Sequence, residues 1–124
     1  MAAQTFKVLI FLKRRPGMSL EAFRDYYEGV HSKLCERYSR GACRYVRRYV
    51  QPRPNSITGS DEELAFDVIT EIWYEDRAVF ERAVHHSARG ELPAEILADE
   101  ERLFDRSKTR FATVVEFDSE RSAL

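Results

Sequence analysis

Several features that mark familiar classes of protein are scarce in this chain of 124 residues. Its two cysteines, Cys35 and Cys43, form no Cys-x-x-Cys pair, so we expect reduced thiols and no structural zinc site. The longest apolar run, Val8 to Leu12, is far shorter than the roughly 20 residues that cross a bilayer. The first residues, MAAQTFKVLIF, lack the basic start and cleavage site of a signal peptide, which predicts a cytoplasmic protein without a membrane partner.

An excess of charge of one sign is also missing. Twenty basic residues stand against 21 acidic ones and leave a net charge of -1. Because domains that bind nucleic acid are usually strongly basic, we expect no nucleic acid partner. The chain contains no HxxxH, HExxH, GxGxxG, Walker or GxSxG motif. This argues against a metal site built by the protein, a nucleotide cofactor and serine hydrolysis.

What the chain does contain predicts one globular domain over residues 1–124. Apolar residues make up 44% of it, enough for a real core, and charged residues make up 33%. The segment from Gln51 to Glu63 (QPRPNSITGSDEE) combines prolines, a glycine and short polar residues. It predicts a flexible loop over residues 51–64. The polar tail, residues 119–124, is expected to fray.

The order of predicted elements indicates an α+β fold. The hydrophobic patterns predict strands at Thr5–Leu12, Ala42–Val50, Ala65–Tyr74 and Arg110–Phe117, and helices at Leu20 to about Tyr38, Arg77–Ser87 and Pro93–Phe104. Ser19 is expected to cap the first helix, whose inward stripe is predicted to hold Leu20, Phe23, Tyr27, Val30, Leu34 and Tyr38. This β-α-β-β-α(α)-β order is that of the ferredoxin-like fold, a split βαββαβ with a four-stranded antiparallel sheet and helices on one face.

The second face of that sheet also looks apolar. Three of the strands carry apolar or aromatic residues at both parities, for example Val8 and Ile10 against Leu9 and Phe11. A sheet face in contact with water would alternate apolar with polar residues. We therefore expect a second copy of the sheet to cover it in a homodimer.

The chain resembles the EthD family of dimeric α/β-barrel proteins. The resemblance rests on PGMSLEAF at the start of the first helix, YYEGVHSKL within it, FDVITEIWYE in the third strand and DEERLFDRSKTRFATVVEF near the end. It implies the same ferredoxin-like fold and the same dimer. Relatives in the broader barrel group act on small cyclic or aromatic compounds as polyketide cyclases, dehydratases, lactone isomerases, cofactor-free monooxygenases and haem proteins. The fold alone does not select among these activities.

His31 is the leading candidate for chemistry. It follows Tyr27 by one helical turn on the predicted inward stripe, and the resemblance places a histidine after the tyrosine pair. A histidine there can exchange a proton near pH 7, while Tyr27 orients it or holds a substrate oxygen. The alternative is a core histidine bonded to backbone or tyrosine. Cys35, four residues later, is a weaker candidate, since the C-terminal end of a helix does not lower a thiol pKa.

Carboxylates and aromatics complete the candidate site. Asp67, placed first because the resemblance has an acid at the start of this strand, and Glu71 could each partner His31. If their face of the strand is instead the open one, they would need arginine partners. About 13 Å of strand separates them, too far for a carboxylate dyad. The predicted substrate-binding residues are Phe11, Phe23, Glu71, Trp73 and Asp105. Asp105 is also expected to pair locally with Arg106, Lys108 or Arg110.

The sequence therefore predicts a cofactor-free enzyme that moves a proton on a cyclic, aromatic or polyketide-like molecule. Cyclisation, dehydration and isomerisation all fit this chemistry. Two alternatives remain open, an oxidative enzyme that is cofactor-free or binds haem, and a non-catalytic binding dimer. A haem would need an axial ligand from His31, His85 or His86, although the adjacent pair points in different directions.

Overall fold

The computed structural model describes residues 4–124, so residues 1–3 of the predicted domain lie outside the described part. Its strands are β1 (Phe6–Leu12), β2 (Arg44–Tyr49), β3 (Val68–Tyr74) and β4 (Arg110–Thr113). Its helices are α1 (Leu20–Tyr26), a π-helical turn (Tyr27–His31), α2 (Ser32–Tyr38), α3 (Arg77–Ala88) and α4 (Ala94–Leu103), with short 3₁₀ turns at Arg106–Lys108 and Arg121–Ala123. The sheet order is β2-β3-β1-β4 and every neighbouring pair is antiparallel. The predicted ferredoxin-like α+β fold is confirmed.

Local chemistry explains where two of these helices begin. The Ser19 hydroxyl accepts a hydrogen bond from the backbone N–H of Ala22, as the sequence predicted for the first helix. Asp76 caps α3 in the same way, because its carboxylate accepts from the N–H groups of Ala78 and Val79. Before α1 the chain turns at Gly17, whose φ of 84° is one that other residues adopt only with strain.

The first helical segment differs from its predicted stripe. Leu20, Val30 and Tyr38 are half exposed or nearly so, whereas Tyr27 and His31 are buried. Leu20 is the first residue of α1, ahead of the turn; for Val30 and Tyr38 the cause is the π-helical turn, in which the N–H of Ser32 bonds to the carbonyl of Tyr27, five residues earlier. This wider turn shifts the inward face of the segment that follows it. The predicted stripe was therefore wrong at three of its six positions.

The last strand is shorter than predicted. β4 pairs with β1 only as far as the Val8–Thr113 pair, and the chain then leaves the sheet. Val115 and Phe117, which the prediction placed within the strand, are 85% and 95% exposed. The residues that follow Thr113 therefore continue beyond the outer strand as an exposed segment.

The loop between β2 and β3 has no strand or helix of its own, as its composition predicted. Asn55 organises its tip, because its side-chain oxygen accepts from the N–H groups of Ile57 and Thr58. At its end, Glu63 forms an ion pair with Arg14 beside β1. The mobility of this loop and of the tail stays a prediction.

The core lies between the helices and one face of the sheet. It is formed by Leu12, Phe23, Tyr27, Val68, Leu103 and Phe104. Alternate residues of β1 and β3, such as Leu9, Phe11 and Trp73, lie on the opposite face and are only partly buried. Within residues 4–124, no helix is both long and apolar enough to cross a membrane.

Candidate functional site

A cavity of about 290 Å³ lies between the helices and the inner face of the sheet. Sheet residues Ile10, Thr70 and Ile72 line it, and so do Ile96 and Phe104 from α4 and its end. The remaining lining residues include Tyr27, His31 and Cys35 on one wall, Tyr45 from β2, and Ser39, His86, Glu91 and Pro93. The space is therefore mostly apolar, with a cluster of polar side chains on the wall formed by the π-helical turn and α2.

His31 is held at that wall by a buried carboxylate. Its ring is 3% exposed, and Nδ1 lies 2.8 Å from Oδ2 of Asp99. An ionised carboxylate can only accept hydrogen bonds, so Nδ1 carries the proton and donates it to Asp99. Nε2 of the neutral ring is then the free basic atom, and it lies 3.4 Å from the Cys35 sulfur. The π-helical turn places Tyr27, His31 and Cys35, four residues apart, on one wall.

Asp99 is almost fully buried on α4 and has several partners. The Tyr26 hydroxyl donates to Oδ1 at 2.5 Å, and Arg102 lies 3.6 Å from the same oxygen. Burial alone would raise the pKa of this carboxyl, but the hydrogen bonds from Tyr26 and His31 outweigh burial and hold the pKa below its ordinary value. Asp99 therefore stays ionised and can stabilise a protonated His31.

Burial also controls the protonation state of His31. Desolvation lowers the pKa of the imidazole, and the hydrogen bond and negative charge of Asp99 offset only part of that effect. Its pKa is therefore below the ordinary value of about 6.5. At neutral pH the ring is uncharged and can accept a proton at Nε2.

Hydroxyl groups extend the polar wall away from His31. The Tyr27 hydroxyl lies 2.5 Å from the Thr70 hydroxyl and 3.3 Å from the Tyr45 hydroxyl. Burial raises the pKa of both tyrosines, so both remain neutral hydrogen-bond donors. The cavity thus brings a base and neutral donors to one wall.

The structure brings together two of the three predicted catalytic residues. His31 and Tyr27 share the cavity wall, with their ring centroids 5.2 Å apart. Asp67 is not among the lining residues, because its carboxylate binds Lys13 and Arg14 at the end of β1. The position that Asp67 was expected to take beside His31 is occupied by Asp99.

The predicted substrate-binding residues lie outside this cavity. Phe11, Glu71 and Trp73 are on the open face of the sheet, where Arg48 supplies the arginine partner expected for Glu71. Phe23 is a core residue that packs edge-on against Tyr27. Asp105 accepts from Ser107 and lies 4.0 Å from Lys108, which is the local pairing foreseen as its other role.

Sequence reasoning missed Asp99, Tyr45 and Thr70, and it considered the lining residue His86 only as a haem ligand. Asp99 had a readable signal, since it lies between Ile96 and Leu103 at helical spacing on the buried face of α4. An acid within an apolar stripe needs a buried partner. Tyr45 and Thr70 gave no comparable signal, because tyrosine and threonine are ordinary strand residues.

The described residues provide no cluster of side chains for a metal ion. Residues 4–124 contain no group of three or more His, Cys, Asp or Glu side chains placed to hold an ion. A haem, the alternative cofactor, would need an axial nitrogen within the cavity. Nε2 of His31 is such a nitrogen. The Cys35 sulfur lies 3.4 Å from it, so the sulfur would have to move for an iron to bind there.

Fold and site together define a ferredoxin-like α+β protein with a histidine–carboxylate pair beside an internal cavity. The EthD domain model matches residues 15–107, three quarters of the chain. The chain therefore belongs to the EthD domain family, and the resemblance read from its motifs is confirmed. No curated protein sequence matches it significantly.

Several solved structures share this fold, and two of them are named as EthD proteins. An EthD family protein of Bacillus halodurans is 20% identical, and the match covers 90% of this chain and 99% of that one with a TM-score of 0.55. An EthD-like protein of Ralstonia eutropha is 19% identical, with coverages of 99% and 100% and a TM-score of 0.57. A hypothetical protein of Arabidopsis thaliana is 14% identical, with coverages of 96% and 94% and a TM-score of 0.57. At these identities the likeness concerns the fold.

Proposed function

We propose that this EthD-domain protein is an enzyme that moves a proton on a small cyclic, aromatic or polyketide-like carbonyl compound without a cofactor. The observation that carries the proposal is the buried His31–Asp99 pair, with Nε2 of His31 at the wall of an apolar cavity. Cyclisation, dehydration and isomerisation all begin with removal of a proton next to a carbonyl, which this arrangement supports.

Each group in the site has a defined part in that step. Nε2 of His31 takes the proton from the carbon next to the carbonyl, and Asp99 stabilises the imidazolium that forms. The negative charge moves to the carbonyl oxygen, where the hydroxyl of Tyr45 donates a hydrogen bond with Tyr27 behind it. His31 then returns the proton to carbon or oxygen, and the product is released.

The charges around the cavity favour an uncharged substrate. No lysine or arginine is among the described lining residues, whereas Glu91 and Glu100 are. Burial raises the pKa of Glu100, and Arg106 counters this only in part. An anionic substrate would therefore meet no lysine or arginine among these residues, and Glu91 is already paired with Arg89 and His86. A neutral ring system with an oxygen directed at the tyrosines matches the lining better.

The test is proton exchange in heavy water. β-Tetralone, an uncharged ketone fused to an aromatic ring, should lose the protons next to its carbonyl faster with the protein than with buffer, as followed by NMR. His31→Gln should slow this exchange by a factor on the order of 10²–10⁴. His85→Gln is the matched control, since His85 is exposed on α3 and absent from the cavity lining.

Three results would contradict the proposal. One is exchange in His31→Gln as fast as in the unchanged protein, with β-tetralone and with a panel of other cyclic ketones. Another is a haem absorbance band in the purified protein that His31→Gln abolishes, which would support the oxidative alternative. The third is binding of ketones without any exchange, which would support the binding dimer.

A further inference from the structure

Cys35 lines the cavity and carries a thiol, a strong nucleophile that the proposed proton transfer does not use. Its sulfur lies 3.4 Å from Nε2 of His31, and Nδ1 of the same ring lies 2.8 Å from Asp99. The thiol is only partly buried and lines the cavity. A nucleophile within reach of a base that a carboxylate orients is the arrangement of a catalytic triad.

We propose that Cys35, His31 and Asp99 form a nucleophilic triad that adds the Cys35 thiol to an α,β-unsaturated carbonyl compound bound in the cavity. The inference rests on the proposed function, because it uses the same basic nitrogen and the same class of ligand. It adds a covalent step at an atom to which the proton-transfer mechanism gives no part.

The step balances without another reactant. The proton on the Cys35 sulfur moves to Nε2 of His31 as the sulfur attacks the β-carbon of the ligand. A carbon–sulfur bond forms, and the electron pair of the carbon–carbon double bond moves toward the carbonyl oxygen to give an enolate. His31 then returns the proton to the α-carbon, which leaves a neutral thioether and a neutral imidazole.

The surroundings of Cys35 favour a neutral thiol that loses its proton to a base during attack. They disfavour a stable thiolate. Burial is the main cause that raises the pKa of Cys35 to about 11. A buried thiol of this kind is inert by itself, so its reactivity depends on a partner that removes the proton during attack. Neutral His31 is such a partner, as it is for the hydroxyl nucleophile of serine triads. The Tyr45 hydroxyl, which lies against Cys35, can donate to the enolate oxygen.

The chain supplies its own control, because Cys43 is exposed. In Cys43→Ser, the only thiol is Cys35, and in Cys35→Ser it is Cys43. Each protein is treated with cyclohexenone, an uncharged α,β-unsaturated ketone, and alkylation is followed by intact mass. We expect Cys35 to be alkylated, and a further His31→Gln change to slow that reaction by about tenfold or more. The same change should leave alkylation of Cys43 as it was.

A pH profile tests the triad without relying on the His31 variant. In general, alkylation of a thiol that no base assists follows the thiolate fraction and rises about tenfold per pH unit below the thiol pKa. Alkylation of Cys35 should instead follow deprotonation of His31 and level off near neutral pH. A Cys35 rate that rises with pH as the Cys43 rate does, or no alkylation of Cys35 except in the denatured chain, would overturn the triad.

Exchange of β-tetralone protons, measured on the same Cys43→Ser protein and its His31→Gln derivative, separates the two proposals. Exchange that depends on His31, together with alkylation of Cys35 that does not, refutes the triad alone. Exchange that does not depend on His31 refutes the proposed function. Alkylation that still depends on His31 in that case supports a nucleophilic site of a different enzyme.

Discussion

At the scale of single residues, the chemistry depends on which nitrogen of His31 carries the proton. Asp99 fixes the proton at Nδ1 and thereby leaves Nε2 free at the cavity wall. Asp99 itself needs the Tyr26 hydroxyl and Arg102 to remain ionised in a buried position. The base thus depends on a chain of contacts that extends outward to the exposed side chain of Arg102.

Asp99→Asn should lower proton exchange by a factor on the order of 10²–10⁴ and leave the fold in place. The amide can donate to Nδ1, which would move the ring proton to Nε2 and remove the free base. β-Tetralone exchange together with circular dichroism measures both effects. Glu101→Gln is the control on the same helix, since Glu101 is exposed, pairs with Arg106 and is absent from the cavity lining. A fully active Asp99→Asn would show that the carboxylate does not orient the base.

Proton exchange catalysed by the unchanged protein should change with pH in a defined direction. Because burial lowers the pKa of His31, the neutral base persists below pH 6.5, and exchange should fall only as the pH drops through that lowered pKa. An acid limb centred above pH 6.5 would assign the base to another group.

At the scale of elements, the π-helical turn is the feature that the sequence did not disclose. A helix at regular spacing was expected to direct both Val30 and His31 inward, and in the structure only His31 is buried. The backbone hydrogen bond from Ser32 to Tyr27 replaces the ordinary four-residue bond. Such turns are frequent at functional sites because they realign one face of a helix.

Deleting Gly29 should convert this turn to ordinary helix and abolish exchange. The deletion leaves Tyr27 and His31 three residues apart in place of four, which changes the direction of His31 relative to Tyr27, so we expect the His31–Asp99 bond to be lost. Gly29→Ala is the matched control, because nothing lies within 4 Å of a Cβ atom built there. We expect it to keep activity and to gain about 0.5–1 kcal/mol in the free energy of unfolding. Full activity of the deletion variant would show that the turn does not position His31.

Asp67 stabilises the end of β1 and does not line the cavity. Its carboxylate accepts from Lys13 and from the backbone and side chain of Arg14, and it is 8% exposed. Asp67→Asn should lower the free energy of unfolding by about 2 kcal/mol, since Lys13 and Arg14 lose their buried partner and keep only the exposed Glu63. Urea denaturation measures the loss of stability. Proton exchange, measured at a low temperature at which the variant stays folded, should persist. Loss of exchange in a folded Asp67→Asn would instead support its predicted catalytic part.

The elements were more predictable than the site for a physical reason. Strand and helix order follows from hydrophobic spacing, turn residues such as Pro16-Gly17 and caps such as Ser19, all of which are local. The site pairs His31 with Asp99, which are 68 residues apart in the chain. No local pattern predicts that pairing. Asp67, the carboxylate expected to partner His31, instead binds Lys13 and Arg14 at the end of β1.

At the scale of the whole molecule, the open sheet face carries partly buried apolar residues and, within residues 4–124, has no helix against it. Leu9, Phe11 and Ile69 are only partly buried there. The Trp73 ring lies between the ammonium of Lys7 at 3.9 Å and the guanidinium of Arg44 at 4.5 Å. The face therefore combines apolar area with ordered charged groups around it, which is the usual composition of a protein interface.

We propose that two copies pack through this face, and light scattering should give a mass twice the 14.5 kDa of one chain. The physical reason is burial of apolar side chains that the single chain leaves in contact with water. Ile69→Lys should shift the mass toward that of one chain, because a desolvated ammonium would face its own symmetry mate. Glu81→Lys, an exposed change on α3, is the control and should leave the mass unchanged. A single-chain mass for the unchanged protein at micromolar concentration would refute the dimer. If instead both variants dimerise equally, the two copies meet through a surface other than the open face of the sheet.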